Sequence, residues 1–169
     1  MPVAAKLPEA ATIANRSYTI DSKGQTVLDN LSKLTWQREA PKKEYNWKQA
    51  KAYCKTLNFA GAGWHLPTKE ELESLVDKSQ MPTIDPAAVP DTPEDWFWTA
   101  TYEPYASYAW SVSFNNGASY DHGITSSNRV RCVRSNSTVQ SAQSPTKSPA
   151  PVKRKGAAAP SGGRHALEL

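Results

Sequence analysis

The chain has 169 residues, a formal net charge of +4 at pH 7 and 38% hydrophobic residues, and its length fits one domain with tails. No run approaches the roughly 20 consecutive apolar residues that a membrane-spanning helix needs. The excess positive charge lies in residues 136–169, which contain five basic residues and one acidic residue, whereas residues 1–135 contain fifteen of each. The folded part therefore has no net positive charge to neutralise phosphates, which excludes nucleic acid as its expected partner.

Composition divides the chain into three parts. Residues 1–16 are predicted to form a flexible leader, and charged residues and prolines interrupt any apolar core of the kind that secretory signals contain. Residues 17–135 form the expected domain. Residues 136–169 consist mainly of Ser, Pro, Ala, Lys and Gly. Such a composition buries too little apolar surface to offset the entropy of ordering, so this part is expected to be a disordered basic tail.

The first part of the domain is predicted to contain three short strands. Residues 17–20 form the first strand, and the Asp, Ser and Gly of residues 21–24 favour a turn after it. Residues 26–30 and 34–37 form the next two strands, and the polar residues between them supply the turn that joins them.

Two capping signals predict two helices. Asn46 is a favoured N-cap with Gln49 three residues on, and Thr68 followed by Glu71 repeats the same pattern. Apolar residues that recur at helical spacing define the buried faces: Trp47, Ala50, Cys54 and Leu57 in the first helix, and Leu72, Leu75 and Val76 in the second.

Residues 79–94 are rich in proline and are predicted to be an irregular excursion. The aromatic and threonine-rich run at residues 96–101 that follows is strongly β-prone. Within it Trp96 and Trp98 share a face, which makes Phe97 the residue expected to be exposed.

Alternation predicts the next strand. Trp110, Val112 and Phe114 alternate with Ser111 and Ser113. This period of two is typical of a strand with one buried face, so the apolar side chains are expected to point inward and the two serines outward.

The chain after this strand combines a turn, a polar loop and a closing β-prone run. Asn and Gly at residues 115–117 favour a turn, and residues 129–134 form the β-prone run. Two early helices followed by short strands indicate an α+β domain, with two helices packed on one side of a small, mainly antiparallel sheet. The two cysteines, Cys54 and Cys132, form either one disulfide or two buried thiols.

Several sequence blocks follow one another in a specific order: residues 26–30, 34–37, 46–54, 63–72, 84–86, 98–101, 109–114 and 130–134. Together they resemble the Lcl C-terminal domain family, which is named after the end domain of a bacterial collagen-like adhesin. The resemblance covers residues 26–134. It departs from the family pattern at His65, where the family usually has Arg.

The resemblance implies a C-type-lectin-like fold of the variant found in formylglycine-generating enzymes. It also implies that Cys54 on the first helix is bridged to Cys132 near the last strand. Family members are mostly secreted or cell-surface bacterial proteins that bind ligands, so an extracellular or surface location is expected. Some relatives are variable proteins of diversity-generating retroelements, and residues 105–128 have the residue types that adenine-directed randomisation yields.

The sequence gives little support for a metal site or a catalytic site. A calcium-dependent sugar site needs six to eight oxygen ligands, but Tyr105 stands where such lectins place one, and Asp121 is isolated. Zinc needs clustered ligands, whereas the three histidines lie far apart in sequence. No serine lies in a nucleophile elbow, and a bridged cysteine pair leaves no thiol for oxidase chemistry. We therefore expect no metal, no cofactor and no enzymatic activity.

Rigid aromatic side chains beside small polar ones are typical of a recognition surface. The predicted ligand-contact residues have these types or are basic: Tyr105, Tyr108, Ser111, Ser113, Asn115, Asn116, Ser119, Tyr120, Asp121, His122, Asn128, Arg129 and Arg131. Arg129 and Arg131 are assigned to the outer face of the last strand, where they contact acidic groups of the ligand or form salt bridges within the domain.

The sequence therefore favours a non-enzymatic module that binds a protein or a glycan through this surface, either as an adhesin-like domain or as a diversified variable protein. The alternative is a structural or assembly domain of a surface appendage, in which the same face packs against another chain or a second copy in a homo-oligomer.

Overall fold

The computed structural model describes residues 16–103 and 107–135. Within these ranges the chain forms two helices and seven strands. The elements in chain order are β1 (Tyr18–Ile20), β2 (Thr26–Asp29), β3 (Leu34–Gln37), α1 (Trp47–Thr56), α2 (Lys69–Glu73), β4 (Trp96–Glu103), β5 (Tyr108–Ser113), β6 (Ser119–Gly123) and β7 (Val133–Ser135). The mixed α+β class is confirmed, whereas the predicted tail, and the predicted leader apart from Arg16, lie outside the described residues.

Both helices begin where the capping signals place them. The Asn46 side chain accepts a hydrogen bond from the Gln49 backbone N–H, and the Gln49 side chain accepts one from the Asn46 backbone. Thr68 and Glu71 make the same reciprocal pair at the start of α2. Since these bonds satisfy backbone donors that a helix leaves unpaired at its N-terminus, the sequence alone fixes both starting points.

The strands form two antiparallel sheets rather than the single sheet that the sequence analysis predicts. The first sheet has the order β1-β2-β3-β7, and the second has the order β4-β5-β6. The last strand thus returns to pair with an early one, with Val133 opposite Trp36. Strand propensity identifies a strand but not its partner, which is why the division into two sheets could not be read from the pattern.

Residues 128–134, which we call the closing segment, connect the two sheets. Asn128 forms a β-bridge with Tyr45, Arg129 bridges Phe97 of β4, and Val133 bridges His65. The closing segment is therefore held by backbone hydrogen bonds to several distant parts of the chain.

Two hydrophobic cores cover the two faces of the second sheet. The first core contains Val27, Trp36, Leu72, Leu75, Ile84, Ala88, Val89, Phe97, Val112, Phe114 and Val133. The second core contains Ala50, Cys54, Trp64, Leu66, Trp98, Ala109, Val130 and Cys132. The proline-rich excursion has no helix or strand, as predicted, yet it contributes Ile84, Ala88 and Val89 to the first core.

This double coverage overturns the predicted orientation of three side chains. Phe97, expected to be exposed, is fully buried in the first core, while its neighbour Trp98 lies in the second core. Ser111 and Ser113, expected to face solvent, are buried as well. Alternation separates the two faces of a strand, but it does not show that one of them is solvated when both are packed.

Cys54 of α1 and Cys132 of the closing segment form a disulfide, as the family resemblance implies. The two cysteines are 78 residues apart in sequence. In the chain-entropy model, closing a loop of this size stabilises the fold by about 4–4.5 kcal/mol. Neither helix of the described residues is long and apolar enough to span a bilayer.

Candidate ligand-binding surface

The structure sorts the predicted ligand-contact residues by exposure. Tyr105 lies outside the described residues. Four are exposed, namely Tyr108, Asn115, Asn116 and Tyr120; four are half-buried, namely Ser119, Asp121, His122 and Arg129; and four are buried, namely Ser111, Ser113, Asn128 and Arg131. The expectation that the buried four face solvent is wrong, whereas ligand contact by the remaining residues stays a prediction.

Three of the buried residues make side-chain hydrogen bonds inside the domain. The Asn128 side-chain amide donates a hydrogen bond to the Ser111 hydroxyl at 3.1 Å, which links the closing segment to β5. The Ser113 hydroxyl accepts a hydrogen bond from the Asn115 backbone N–H at 3.2 Å. Because these bonds satisfy groups that are shielded from water, the residues support the surface rather than form it.

Arg131 is fully buried, although the sequence analysis assigns it to an outer face. Its guanidinium donates to the backbone carbonyls of Gln37 and Arg38 at 2.7 and 2.6 Å and to the Thr92 hydroxyl at 2.7 Å. Burial lowers the pKa of Arg131 to about 9, so the group still carries its charge at neutral pH. It therefore joins β3 to the closing segment and is not available to a ligand.

The sequence leaves open whether Arg129 contacts a ligand or forms salt bridges within the domain, and in the structure it forms salt bridges within the domain. Its guanidinium pairs with Asp95 at 3.0 Å and with Glu44 at 3.7 Å, and it also donates to the backbone carbonyl of Lys42. An acidic ligand would have to compete with two carboxylates of the same domain.

The register of the second sheet shows which of the remaining residues lie on each of its two faces. Tyr120 lies opposite Ser111 and His122 opposite Ala109, whereas Asp121 lies opposite Trp110. Because successive side chains of a strand point to opposite faces, Tyr120 and His122 share one face and Asp121 lies on the other. The sequence analysis treats this stretch as a polar loop; it is strand β6, at the edge of the sheet.

Trp96, Tyr120 and His122 form one group of rings, the aromatic patch. The ring centroids of Trp96 and His122 are 4.9 Å apart, those of Tyr120 and His122 are 5.6 Å apart, and those of Trp96 and Tyr120 are 6.4 Å apart. These separations are typical of favourable aromatic contacts. Tyr120 is 60% exposed, so the patch presents ring surface to solvent.

A polar group lies unused within the aromatic patch. The His122 Nδ1 atom is shielded from solvent and has no hydrogen-bond partner among the described residues. The sequence analysis names Tyr120 and His122 but not Trp96, because it treats Trp96 as one of a pair on a shared strand face. The cross-strand register that brings the three rings together could not be predicted.

The opposite face of β6 is already engaged with α2. The Ser119 hydroxyl donates to a Glu73 carboxylate oxygen at 2.5 Å, and the Lys69 ammonium lies 4.0 Å from the centroid of the Trp110 ring. Lys69 also pairs with Glu73 at 3.7 Å. This face therefore has fewer free side chains than the face that holds the aromatic patch.

The turn before β6 is exposed, but hydrogen bonds and a close packing contact fix its position. The Asn115 side chain donates to a Glu94 carboxylate oxygen at 2.9 Å, and the Asn116 side chain accepts from the Ala118 backbone N–H at 3.0 Å. Gly117 has a φ of +71°, and a Cβ there would lie 2.6 Å from Val76 Cγ1. The predicted turn is confirmed, and its contacts fix where β6 begins.

In residues 16–103 and 107–135, no three His, Cys, Asp or Glu side chains are grouped so that they could hold a metal ion. The chemistry that this surface offers consists of aromatic contact and of amide and hydroxyl hydrogen bonds.

Comparison with known families identifies a family to which most of the described domain is similar. The profile of the family described as the Lcl C-terminal domain matches residues 25–134, which is more than half of the chain. A comparison with curated proteins finds no significant match.

Proposed function

The chain belongs to the Lcl C-terminal domain family, and from this premise we propose that it is a non-enzymatic binding module with a C-type-lectin-like fold. Two short helices, two small antiparallel sheets and a disulfide from α1 to the closing segment support this fold assignment. Its ligand is a protein or a glycan, and binding involves the face of the second sheet that holds Tyr120 and His122, together with the turn before β6.

The observation that carries the proposal is the aromatic patch on one face of the second sheet, where Trp96 of β4 meets Tyr120 and His122 of β6. Tyr and Trp rings provide large contact areas at a low cost in conformational entropy, and they can stack on the apolar face of a sugar or fill a pocket of a protein partner. Exposed Tyr120 is the expected anchor, and half-buried Trp96 and His122 are expected to form its base.

The test is a glycan and cell-surface protein array with the full chain, with and without a calcium chelator, followed by affinity measurements on a hit. Tyr120→Ala is expected to weaken binding at least tenfold, a loss of about 1.4 kcal/mol or more. Tyr108→Ala is the matched control, because Tyr108 is also exposed but its place in β5 puts it on the other face of the sheet.

The proposed position of the site is wrong if both tyrosine variants lose affinity equally, or if only Tyr108→Ala does. A chelator-sensitive interaction would contradict binding without a metal. Both variants should keep the melting temperature of the unchanged chain; a large decrease for Tyr120→Ala would show that this tyrosine stabilises the fold rather than contacts a ligand.

A diversified variable protein and an adhesin of fixed sequence make different predictions for exposed positions. In a diversified protein, substitutions between isolates concentrate at exposed positions such as Asn115, Asn116 and Tyr120 and spare buried Ser111 and Arg131. Sequencing the locus from many isolates tests this: substitutions spread equally over buried and exposed positions would contradict diversification.

We place the protein outside the cytoplasm or on the cell surface. The disulfide between Cys54 and Cys132 supports this location, because such bonds persist in oxidising compartments and are rare in reducing ones. Thiol labelling of the protein from intact cells, carried out under denaturing conditions so that the buried sulfurs are accessible, should find both cysteines blocked. Two freely labelled thiols would contradict an extracellular location.

An assembly role is the second candidate, and the edge position of β6 favours it. Among the described residues, β6 pairs with β5 and with no other strand. An unpaired strand edge is a template for pairing with another chain. Size-exclusion chromatography with light scattering separates the two roles: a stable oligomer that Tyr120→Ala disrupts would favour assembly, and a monomer would favour ligand binding.

A further inference from the structure

A cavity that does not include the aromatic patch lies between α1 and the residues that precede α2. Its volume is about 200 Å³, and its walls are Lys51, Lys55, His65, Leu66, Thr68 and Ala100. We refer to it as the α1 cleft. Lys51 and Lys55 are one helical turn apart and so lie side by side on α1. Ala100 of β4 is held beside the residues that precede α2, because its backbone N–H donates a hydrogen bond to the Pro67 carbonyl at 2.6 Å.

The α1 cleft has an apolar interior. Leu66 is buried in the second core and Ala100 packs against that core, while the methylene stems of the lysines line one wall. A sugar placed here would lose water from its hydroxyl groups without gaining partners on these walls. The cavity is also smaller than the roughly 300–1,000 Å³ of sites for drug-sized ligands. Its occupant is therefore a small molecule with an apolar body.

The rim of the α1 cleft is positively charged. Two lysines, Lys51 and Lys55, line the cleft, and the Lys51 ammonium lies 4.3 Å from the centroid of the Trp47 ring. Among the described residues, neither Lys51 nor Lys55 forms a salt bridge with a carboxylate.

The carboxylate of Glu71, which lies near the same opening, is already matched inside the domain. Its Oε2 atom accepts a hydrogen bond from the Thr68 backbone N–H at 2.8 Å and lies 3.6 Å from His65 Nε2. Of the charged side chains that line the cleft, Lys51 and Lys55 are therefore the ones without a carboxylate partner among the described residues.

We propose that the α1 cleft binds a small monocarboxylate with an apolar body, such as an aromatic or branched aliphatic acid. The carboxylate lies between the Lys51 and Lys55 ammonium groups, which are both hydrogen-bond donors and counter-charges. The body of the acid covers Leu66 and Ala100. This site does not depend on the proposed binding role of the aromatic patch.

The test is a titration of the ¹⁵N-labelled full chain followed by two-dimensional NMR, with 3-phenylpropionate as the probe. Two analogues separate the two halves of the proposal: 3-phenylpropionamide keeps the body and removes the charge, and acetate keeps the charge and removes the body. Saturable shifts of the Lys51, Leu66 and Ala100 backbone amides are expected with 3-phenylpropionate. Both analogues are expected to bind at least fivefold more weakly.

Variants test the role of the rim. The double substitution Lys51→Gln and Lys55→Gln is expected to weaken binding at least fivefold and to leave the NMR spectrum of the rest of the domain unchanged. Lys48→Gln is the matched control, because Lys48 is an exposed lysine of α1 that does not line the cleft. It should bind the probe like the unchanged chain.

Four outcomes overturn the proposal. These are an amide analogue that binds as tightly as the acid, a double variant that binds as tightly as the unchanged chain, shifts confined to Trp96 and Tyr120, and no saturable shift up to the solubility limit of the probe. None of these outcomes would contradict the proposed ligand binding by the aromatic patch, whose test is the pair of tyrosine variants.

Discussion

Strand β6 and the closing segment both contain several polar residues, but these residues lie in opposite environments. Every residue of β6 is exposed or half-buried, and its outermost ring, Tyr120, is 60% exposed. In the closing segment Asn128 is only 7% exposed, and Arg131 is as fully buried as the neighbouring apolar Val130. Polar composition therefore does not separate surface from interior in this fold.

The difference follows from the position of each element. Strand β6 is the outer strand of a three-stranded sheet and has one neighbour. The closing segment bridges residues 45, 65 and 97 and ends as β7 beside β3. A segment with neighbours on several sides must satisfy its polar groups inside the protein, whereas an edge strand leaves them to water or to a partner. Substitutions in the two regions should therefore differ in their effect on stability.

The largest expected effect comes from removing the disulfide of the closing segment. The double substitution Cys54→Ala and Cys132→Ala is expected to lower the free energy of unfolding by about 2–5 kcal/mol, the usual cost of losing a native disulfide. Denaturant unfolding of the variant, and of the unchanged chain with and without reductant, measures the change. A loss of less than about 1 kcal/mol would show that the backbone bridges hold the segment without the bond.

Two arginines of the closing segment provide the next comparison. Arg131→Leu leaves the carbonyls of Gln37 and Arg38 without a buried donor, so we expect a loss of about 2–4 kcal/mol in the free energy of unfolding. Arg129→Leu removes salt bridges at the surface and should cost less than about 1 kcal/mol. Equal losses in denaturant unfolding would contradict the assignment of Arg131 as the internal link and Arg129 as a surface residue.

Two glycines make a matched pair around β6. Gly117→Ala places a methyl group 2.6 Å from Val76 Cγ1 at a φ of +71°, and is expected to cost about 1–3 kcal/mol. Gly123→Ala meets only the Ser126 hydroxyl, at 3.7 Å, and should change the free energy of unfolding by about 0.5 kcal/mol or less. A tolerated Gly117→Ala would mean that the turn moves away from Val76, and that β6 is held less firmly than the structure indicates.

Local signals in the sequence were sufficient for the local elements. Both helix starts follow from reciprocal side-chain caps, which involve residues three positions apart. Strands β2 and β3 lie where the β-prone runs place them. The disulfide partner of Cys54, by contrast, came from the family resemblance, because residue spacing leaves two buried thiols equally possible.

The candidate site was predicted only in part, because its geometry depends on partners distant in sequence. Tyr120 and His122 were identified from residue type, but Trp96 joins them only through pairing across the sheet. Ser111 was assigned to the surface because alternation does not show that a second core covers its face. Arg131 was misplaced for a similar reason: its acceptors belong to residues 37, 38 and 92.

The smallest expected effect is a pH dependence beside the closing segment, where the His65 backbone pairs with Val133. The Glu71 side chain raises the pKa of His65 above its ordinary value of 6.5, and His65 lowers the pKa of Glu71 below its ordinary value of 4.5. The stabilisation from His65 is complete below pH 6.5 and is lost as the pH rises through its raised value. The contribution of Glu71 is complete above pH 4.5 and is lost as the pH falls through its lowered value.

Stability should therefore fall as the pH rises above 6.5, by about 0.5 kcal/mol or less because both side chains are partly exposed. Glu71→Gln tests the cause, since glutamine keeps the capping hydrogen bond to the Thr68 backbone but has no charge. Denaturant unfolding of both proteins at about pH 5.5 and about pH 8.5 should show a fall only in the unchanged chain. An equal fall in Glu71→Gln would assign the dependence to another group, and the bridge between His65 and the closing segment would then hold through its backbone hydrogen bonds alone.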